Sequence, residues 1–304
     1  MSEAGRTMFI GPEDGLNCSF QWGGEYVRVI LRSDVGRKRK NNEDSCMVLA
    51  PGEQEDMERR GILFAVADGM GGASAGEHAS RLALQCLAEG YYDPGFHGGT
   101  PQALRAAIEL ANMTVFEESE DNPAYAGMGT TMSAVAVMGN WAYIAQVGDS
   151  RVYLLRQELG VRQLTDDHSL VAEQMRNGLL NEDEAKNHSL KNLITRAVGI
   201  KDAVDVDLFA LELQPGDRLL VCSDGLSNMV QDGLMLSTAT GAADLEGAVE
   251  GLVNEALEAG GLDNITVLLL EVTAPPPRTY YQAGGQKLTF GNEGLFRRMR
   301  NWFH

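Results

Sequence analysis

Three aspartates, Asp68, Asp149 and Asp224, each lie beside a glycine at the end of a short apolar segment. One such aspartate would indicate only a turn, because Asp-Gly suits tight turns. Three of them, with Asn42-Glu43-Asp44 and Asp263-Asn264 elsewhere, indicate that several carboxylates meet at one place. Clustered carboxylates without compensating cations repel one another, and bound metal ions relieve that repulsion. Since carboxylate and carbonyl oxygens suit hard cations, the pattern predicts an Mg²⁺ or Mn²⁺ site rather than a zinc site.

Other kinds of site have less support in the sequence. Gly69-Met70-Gly71-Gly72, before a predicted helix, could hold a phosphate, but it matches neither common nucleotide-binding glycine pattern. The five histidines show no zinc-binding spacing, and the G-x-S-x-G motif of serine hydrolases is absent. Cys222 lies inside an apolar run, so we expect a buried small side chain rather than a nucleophile.

The composition is that of an acidic chain. Its 304 residues include 25 Lys and Arg against 43 Asp and Glu, which gives a net charge of −18. Such a surface is poorly suited to nucleic acid or to an anionic membrane. No apolar run reaches the roughly 18 residues of a membrane helix, and the N-terminus does not resemble a secretory signal. With four widely spaced cysteines and no C-x-x-C motif, we expect a reduced, cytoplasmic protein without a transmembrane segment.

Short apolar runs separated by turn signals predict the strands of the fold. There are nine of these runs: Tyr26–Leu31, Ser45–Leu49, Ile62–Ala67, Thr131–Met138, Trp141–Val147, Val152–Arg156, Val206–Leu213, Arg218–Cys222 and Ile265–Val272. Many strands at turn-sized spacing favour a sandwich or a barrel.

Apolar residues at helical spacing predict three helices, at Ser74 to about Gly90, from Thr100 onward, and at Leu245–Leu257. The first is expected to begin with a capping box formed by Ser74 and Glu77, and the third to end at Gly260-Gly261. Because each helix is apolar on one side, we expect the helices to cover the strands as outer layers.

Composition divides the chain into three parts. Residues 1–25 are glycine-rich and lack clean periodicity, which predicts a loose N-terminal extension before a domain of residues 26–273. Within that domain, the polar segment Leu164–Arg196 is predicted to be a surface flap. Residues 274–304 begin with a proline-rich spacer and carry five Lys and Arg against one acid. We expect this basic tail either to dock on an acidic partner, a membrane surface or the acidic domain itself, or to be a solvated terminus.

Eight motifs occur in the order of one known family. They are S-D-V-G-R-K-R-K-N-N-E-D-S (Ser33–Ser45), V-A-D-G-M-G-G-x-x-x-G-E-x-A-S (Val66–Ser80), G-T-T (Gly129–Thr131), V-G-D-S-R-V-Y (Val147–Tyr153), L-T-D-D-H-S (Leu164–Ser169), L-I-T-R-A-V-G (Leu193–Gly199), L-L-V-C-S-D-G-L (Leu219–Leu226) and G-L-D-N-I-T-V (Gly261–Val267). Together they resemble the metal-dependent serine/threonine protein phosphatases, the PPM or type 2C family, in their bacterial form. The resemblance implies an α+β fold, a central antiparallel β-sandwich with α-helices on both outer faces and a flap near the active site.

The resemblance also implies a metal-binding set, which consists of Glu43, Asp44, Asp68, Gly69, Asp149, Asp224 and Asp263. Asp68 is expected to bridge two ions, with the backbone carbonyl of Gly69 on one of them. Asp224 and Asp263 would bind the second ion, and Asp149 with Asp224 would form a weaker third site. The implied cofactors are two or three Mn²⁺ or Mg²⁺ ions per chain.

The remaining implied roles concern the substrate. Arg39 matches the arginine that binds the substrate phosphate, and Glu43 and Asp44 would orient metal-bound waters. Met70 replaces a histidine that serves as the proton donor in eukaryotic members, so the donor must be a metal-bound water or a residue from elsewhere. Our candidate is His188 in the flap, with an exposed histidine without a role as the alternative, whereas His168 is expected to be a local structural residue.

The reaction that this assignment predicts is hydrolysis of phosphoserine and phosphothreonine in proteins. Two cations can neutralise the phosphate and acidify a water molecule, and an arginine adds a planar clamp of two donors. The implied partners are phosphorylated proteins and a cognate Ser/Thr kinase. Two alternatives are a pseudophosphatase that uses the same fold for binding, and a scaffold protein whose activity lies in the tail. No metal ligand of the family is lost here, which favours the enzyme.

Overall fold

Two antiparallel β-sheets form the centre of the protein, and its computed structural model describes residues 6–157, 159–181, 184–185, 188–275 and 297–298. The strands of the first sheet are β1 (Thr7–Gly11), β4 (Asp44–Ala50), β5 (Ile62–Met70), β6 (Gly129–Thr130), β7 (Met132–Met138), β8 (Trp141–Val147), β11 (Asp207–Glu212) and β14 (Arg297–Arg298). They follow the order β1-β4-β5-β7-β8-β11-β14, and β6 pairs with β5.

The second sheet packs against the first. Its strands are β2 (Cys18–Gly23), β3 (Val27–Asp34), β9 (Arg151–Arg156), β10 (Gly160–Gln163), β12 (Arg218–Cys222) and β13 (Ile265–Val272). Their order is β10-β9-β12-β13-β3-β2, so the chain crosses between the two sheets several times. All nine predicted strands are present.

Helices cover the outer faces of both sheets. The helices of the described residues are α1 (Gln54–Arg60), α2 (Ala73–Tyr91), α3 (Thr100–Asp121), α4 (Leu170–Arg176), α5 (Asp224–Ser227), α6 (Asp232–Gly241) and α7 (Leu245–Glu258). The pair α2 and α3 packs on the first sheet, and the pair α6 and α7 packs on the second. This arrangement confirms the predicted β-sandwich with helices on both outer faces.

The alternation of side chains in each strand builds these layers, because successive residues of a strand point to opposite faces. In β5, Leu63, Ala65 and Ala67 belong to the apolar core under α2 and α3. Phe64 and Val66, on the other face, belong to the core between the two sheets. Since both faces of this strand are buried, its sequence is apolar almost throughout, and its first polar residue is Asp68.

The N-terminal segment differs from the prediction of a loose extension. Strand β1 pairs with β4 from Thr7 opposite Ala50 to Gly11 opposite Cys46, and β2 pairs with β3. The rings of Phe9 and Phe20 stack with their centroids 4.4 Å apart, one on each strand. Residues 7–23 thus add an edge strand to each sheet. The prediction was wrong because both strands are short and lie among glycines, although Cys18, Phe20 and Trp22 of β2 alternate with polar residues.

The predicted capping box is also wrong, although the helix itself is present. Helix α2 begins at Ala73, one residue before Ser74, and its N-cap is Gly72, which has no side chain to cap it. The predicted end of the third helix is confirmed by α7, after which the amide of Gly261 donates to the carbonyl of Ala256 at 3.0 Å.

The predicted flap and tail are described only in part. The segment Leu164–Arg196 contains α4 and a β-bridge between Ser169 and Ile194, while residues 182–183 and 186–187 lie outside the described residues. Most of the predicted tail, residues 276–296 and 299–304, also lies outside them. Its residues Arg297–Arg298 pair with β11. Within the described parts of the chain, no helix is both long and apolar enough to span a membrane.

Candidate metal centre

Five aspartates from both sheets gather at one end of the sandwich. Asp44 begins β4 and lies directly opposite Asp68 near the end of β5. In the second sheet, Asp224 follows β12 and Asp263 precedes β13, its antiparallel neighbour. Asp149 comes two residues after β8. The aspartates at the strand ends therefore meet in space, as the sequence indicated. Asp68 and Asp224 also lie close enough to other aspartates of the cluster for those charges to raise their pKa values.

Asp68 is fixed through its backbone. Its amide donates to Oγ1 of Thr131 at 2.9 Å, and its carbonyl accepts hydrogen bonds from the amide of Thr131 and from Oγ1 of Thr130, each at 2.9 Å. The next amide, that of Gly69, donates to the carbonyl of Glu43 at 3.1 Å. The threonines of the motif G-T-T thus align the end of β5, and the hydrogen bond of Gly69 holds Glu43 beside that end.

Burial and mutual repulsion raise the pKa values of these carboxyl groups. Burial is the main cause for Asp68, whose pKa lies well above its ordinary value, and the charges of Asp44, Asp224 and Asp149 add to it. The pKa of Asp149 is raised to about 8, first by burial and then by Asp224. The pKa of Asp224 is raised to about 6 by burial and by the charge of Asp263. A positive charge placed among these groups would offset the repulsion between the carboxylates and lower their pKa values.

Asp44 is buried, and one of its two carboxylate oxygens has hydrogen-bond partners. Its Oδ2 accepts hydrogen bonds from Oγ of Ser223 at 2.7 Å and from Oγ1 of Thr266 at 2.6 Å, which ties the first sheet to the second. Its Oδ1 is also buried and has no hydrogen-bond partner among the described residues. Burial raises the pKa of this carboxyl group to about 7, and the two hydroxyl donors only partly offset it. An unsatisfied buried oxygen of this kind fits a water molecule or a cation.

Two glycines allow α2 and β5 to approach Glu43 closely. A Cβ atom on Gly69 would lie 2.1 Å from the carbonyl oxygen of Gly76, and one on Gly76 would lie 2.1 Å from Oε2 of Glu43. Gly69 therefore has no room for a side chain, and a side chain at Gly76 would have to displace the carboxylate of Glu43. Ser80 of α2 completes the contact, since its Oγ donates to the carbonyl of Glu43 at 2.7 Å. These roles of Gly76 and Ser80 were not predicted from the sequence, although both residues belong to the second motif.

Arg39 lies at the rim of the cluster, with its side chain about half exposed. Its Nη2 is 2.8 Å from Oδ2 of Asp263, and its Nη1 is 3.7 Å from Oε1 of Glu43. Partial burial lowers the pKa of Arg39, but the hydrogen bond and charge of Asp263, with the charges of Glu43 and Asp68, outweigh it and raise that pKa. The guanidinium is thus charged and lies beside the carboxylates at the rim of the cluster.

The two histidines of the flap region differ in their surroundings. His168 is buried, and its Nδ1 accepts a hydrogen bond from the amide of Gly148 at 3.0 Å, which positions the turn before Asp149. The prediction that His168 is structural is consistent with this contact. His188 has a local contact, because its Nδ1 accepts from the amide of Leu190 at 3.1 Å. No hydrogen bond or ion pair among the described residues joins His188 to the carboxylate cluster.

The residues present fit a hard cation in their chemistry. They offer carboxylate and carbonyl oxygens, a buried oxygen without a partner on Asp44, and excess negative charge. Among the described residues, however, no three carboxylate, imidazole or thiol groups already form a cage that could hold an ion. Several of the carboxylates are instead turned toward hydrogen-bond donors, Asp263 toward Arg39 and Asp224 toward Nδ2 of Asn228 at 2.9 Å.

Comparison with known proteins gives a consistent result. Residues 37–257 match the family model described as Protein phosphatase 2C. The chain is 38% identical over 248 residues to the serine/threonine phosphatase stp of Listeria innocua, an alignment that covers 81% of this chain and 96% of the relative.

Solved structures of similar proteins agree with this family. The serine/threonine phosphatase PstP/Ppp of Mycobacterium tuberculosis is 36% identical, with a TM-score of 0.72 over 82% of this chain and all of that one. A structure of the catalytic domain of PstP in complex with two manganese ions has a TM-score of 0.70 at 36% identity, covering 82% of this chain and 99% of that one. With the motifs, the sandwich and the carboxylate cluster, these similarities show that the chain belongs to the protein phosphatase 2C family and is a metal-dependent serine/threonine protein phosphatase.

Proposed function

We propose that this phosphatase hydrolyses phosphoserine and phosphothreonine with a water molecule activated at a site of two or three Mn²⁺ or Mg²⁺ ions, and thereby reverses the action of a Ser/Thr kinase. The observation that carries the proposal is the cluster of Asp44, Asp68, Asp149 and Asp224, whose pKa values are raised by burial and by one another. Such a cluster destabilises the folded chain unless positive charge is present, so a structural role alone does not explain it.

We assign the metal ligands by the family motifs and by their places in the cluster. Asp68 and the carbonyl of Gly69 would hold one ion, and Asp68, Asp224 and Asp263 the second. Asp149 and Asp224 would hold the third. When bound, divalent cations neutralise phosphate charge and lower the pKa of a water molecule toward neutrality. The two manganese ions of the PstP complex support a site of at least two ions.

The chain's own residues prepare the site for this chemistry. Ser223 and Thr266 hold Asp44 by its Oδ2, so its free Oδ1 is directed by fixed partners and can accept a hydrogen bond from a water molecule. Glu43 is positioned by backbone contacts to Gly69 and to Ser80. Both carboxylates are suited to orient water and to accept its proton.

Arg39 would bind the phosphate group of the substrate. Its guanidinium offers several N–H donors in one plane, which match two phosphate oxygens at once. In the structure Nη2 already donates to Asp263, while Nη1 has Glu43 only at 3.7 Å. Donor groups on the exposed side of the guanidinium therefore remain for the substrate.

The proton donor to the leaving serine or threonine oxygen is proposed to be His188. Since its Nδ1 accepts a hydrogen bond from the amide of Leu190, Nε2 is the ring nitrogen that would carry the donated proton. Met70, at the position of the family's histidine, has a thioether and cannot donate a proton. His188→Gln is expected to slow turnover of a phosphopeptide with a poor leaving group more than turnover of an aryl phosphate.

We also keep the predicted division of the chain as a proposal, with the phosphatase domain ending near residue 273 and a basic tail after it. The last strand of the second sheet ends at Val272, and the amide of Thr273 donates to the carbonyl of Tyr26 at 2.8 Å. Both support a domain end at this point. The charge of the tail is opposite to that of the rest of the chain, which supports docking on an acidic partner.

The test is hydrolysis of a phosphothreonine peptide with and without Mn²⁺, by the wild type, by Asp68→Asn and by the control Asp202→Asn. Asp202 is an exposed aspartate in a loop, so the control makes the same chemical change outside the cluster. Wild type and control should release phosphate only with Mn²⁺, and Asp68→Asn should lose at least about 100-fold in turnover. A pseudophosphatase would release none in any form, and that result would overturn the proposal.

A further inference from the structure

Four consecutive cations, Arg37, Lys38, Arg39 and Lys40, form an exposed turn beside the proposed active site, which we call the basic turn. They stand out in a chain with 25 cations against 43 acidic residues. Of the four, Arg39 has acidic partners in Asp263 and Glu43. Arg37, Lys38 and Lys40 form no ion pair with any described residue. Three exposed cations without ion-pair partners among the described residues are therefore available to another molecule.

The backbone of the basic turn is held rigidly on the loop that carries Asp263. The amide of Arg37 donates to the carbonyl of Gly261 at 2.8 Å. Gly36 has a φ of +79°, and a Cβ atom there would lie 2.2 Å from the carbonyl oxygen of Asp263. Nδ2 of Asn264 donates both to the carbonyl of Val35 and to that of Asn41, at 2.9 Å each. Asn264 thus fixes both ends of the turn.

These contacts fix the backbone from which Lys38 and Lys40 project. Consecutive Cα atoms are about 3.8 Å apart, so both lysines begin one such step from Arg39. An extended peptide advances about 3.3 Å per residue, so their ammonium groups can reach side chains one to three residues from a phosphorylated residue bound at Arg39. Because the turn is preorganised, binding such a peptide would order only the lysine side chains.

We propose that the basic turn binds acidic residues that flank the phosphorylated serine or threonine, so that this phosphatase prefers phosphorylated sites in acidic sequences. The inference rests on the proposed function of the neighbouring site. It also explains how an acidic peptide could bind to this acidic protein. A protein of net charge −18 would repel such a peptide unless cations met it at the active site. A nucleic acid or an anionic membrane, being much more extended, would meet this repulsion over a far larger area.

The variant that tests the proposal is Lys38→Gln/Lys40→Gln, since Arg39 belongs to the proposed site and Arg37 contacts Gly261. Its matched control, Arg162→Gln/Lys201→Gln, removes the same charge from two exposed cations elsewhere in the sequence. Each enzyme is assayed with Mn²⁺ on three substrates. They are a phosphothreonine peptide with glutamate on both sides, the same peptide with glutamine, and a small aryl phosphate.

We expect wild type and control to prefer the glutamate peptide over the glutamine peptide in kcat/KM. The double variant should lose about 3- to 20-fold on the glutamate peptide, as expected for two exposed ion pairs, and less than about two-fold on the aryl phosphate. The preference should also shrink at high salt, because ions screen exposed charges.

Three results would overturn the proposal while leaving the phosphatase assignment intact. They are equal kcat/KM of the wild type on both peptides, an equal loss by the double variant on the aryl phosphate, and a loss of the same size in the control. Selective binding of the wild type to anionic phospholipid vesicles, with equal rates on both peptides, would assign the turn to a membrane instead. If none of the three substrates is hydrolysed, the proposed function itself fails.

Discussion

Nη2 of Arg39 donates a hydrogen bond to Oδ2 of Asp263 at 2.8 Å, so the proposed phosphate-binding cation contacts a proposed metal ligand. The two residues lie far apart in sequence, and the loop packing around Gly36 and Asn264 brings them together. Asp263 thereby holds the guanidinium at the rim of the cluster, where a substrate phosphate would enter. The proposed phosphate-binding and metal-binding roles would be linked through this one contact.

Removal of the guanidinium should weaken substrate binding. Arg39→Ala is expected to raise KM for a phosphopeptide. The loss of binding free energy should be about 1.5–3 kcal/mol, the usual contribution of a hydrogen bond to a charged group. Arg39→Lys should recover only part of this loss, because an ammonium group lacks the planar pair of donors. Steady-state kinetics of both variants, with Arg162→Ala as the control, measures the effect. A KM that stays at the wild-type value in Arg39→Ala would exclude the role.

A methyl group at Gly76 should disturb the site without unfolding the protein. Gly76 lies within α2, where alanine normally stabilises a helix, but its Cβ would lie 2.1 Å from Oε2 of Glu43. We expect Gly76→Ala to displace Glu43 and to reduce turnover at least about ten-fold. Gly233→Ala in α6 is the control, since a Cβ there meets no atom within 4 Å. Equal activity of the two variants would show that the close approach is unimportant.

The metal-free protein should lose stability as the pH rises. Asp44, Asp149 and Asp224 have folded pKa values of about 7, 8 and 6, all above the ordinary value of about 3.9. Between pH 4 and pH 8 the folded chain therefore binds more protons than the unfolded chain, and its free energy of unfolding falls with increasing pH. The loss is complete once the pH exceeds the folded pKa values.

Melting temperatures measured with a chelator at pH 5 and pH 8 test this dependence. We expect a decrease of several degrees, since about 1 kcal/mol corresponds to roughly 2–4 °C for domains of 150–250 residues. Asp44→Asn should show a smaller decrease, whereas the control Asp202→Asn should follow the wild type. Added Mn²⁺ should raise the melting temperature more at pH 8 than at pH 5. A melting temperature that rises from pH 5 to pH 8 in the chelator would contradict the raised pKa values.

The basic tail should be dispensable for chemistry. Truncation after Thr273 is expected to leave a folded enzyme with near-normal turnover of a small aryl phosphate, because the second sheet is complete at Val272 and the first sheet loses only the two-residue edge strand β14. Binding of an acidic partner should weaken, and the difference should shrink at high salt. Melting temperature and aryl-phosphate turnover of the two chains decide the matter. An insoluble or much less stable truncated chain would place the tail inside the fold.

Much of the cluster could be predicted from the sequence because its aspartates end conspicuous apolar strands. The buried strand leading to Asp68 is apolar on both faces, so its first carboxylate is easy to find. Asp224 and Asp263 flank neighbouring strands in the same way. The motifs then indicated the family. The family's fold predicts how these strands are arranged in space, which periodicity alone does not.

Other features depend on contacts that a local pattern does not contain. Ser223 and Thr266 are ordinary strand-end residues in the sequence. The pairing of β12 with β13 places them side by side, and the packing of the two sheets brings their hydroxyl groups to Asp44. Strands β1 and β2 are stabilised by pairing at sheet edges, and their own short sequences, which lie among glycines, do not indicate that pairing. Gly72 caps α2 without a side chain, whereas the prediction depended on Ser74.

The most direct test of the central claim is the number of Mn²⁺ ions bound per chain, measured by equilibrium dialysis with metal analysis, together with phosphopeptide turnover in the same samples. We predict at least two ions per wild-type chain and fewer in Asp68→Asn and Asp224→Asn. Both variants should lose turnover while their circular dichroism spectra show that the fold is retained. The control Asp202→Asn should bind and turn over like the wild type. Near-wild-type turnover of Asp68→Asn or Asp224→Asn at saturating Mn²⁺, or undiminished turnover of the wild type without bound metal, would contradict the assignment of the carboxylate cluster as the catalytic metal centre.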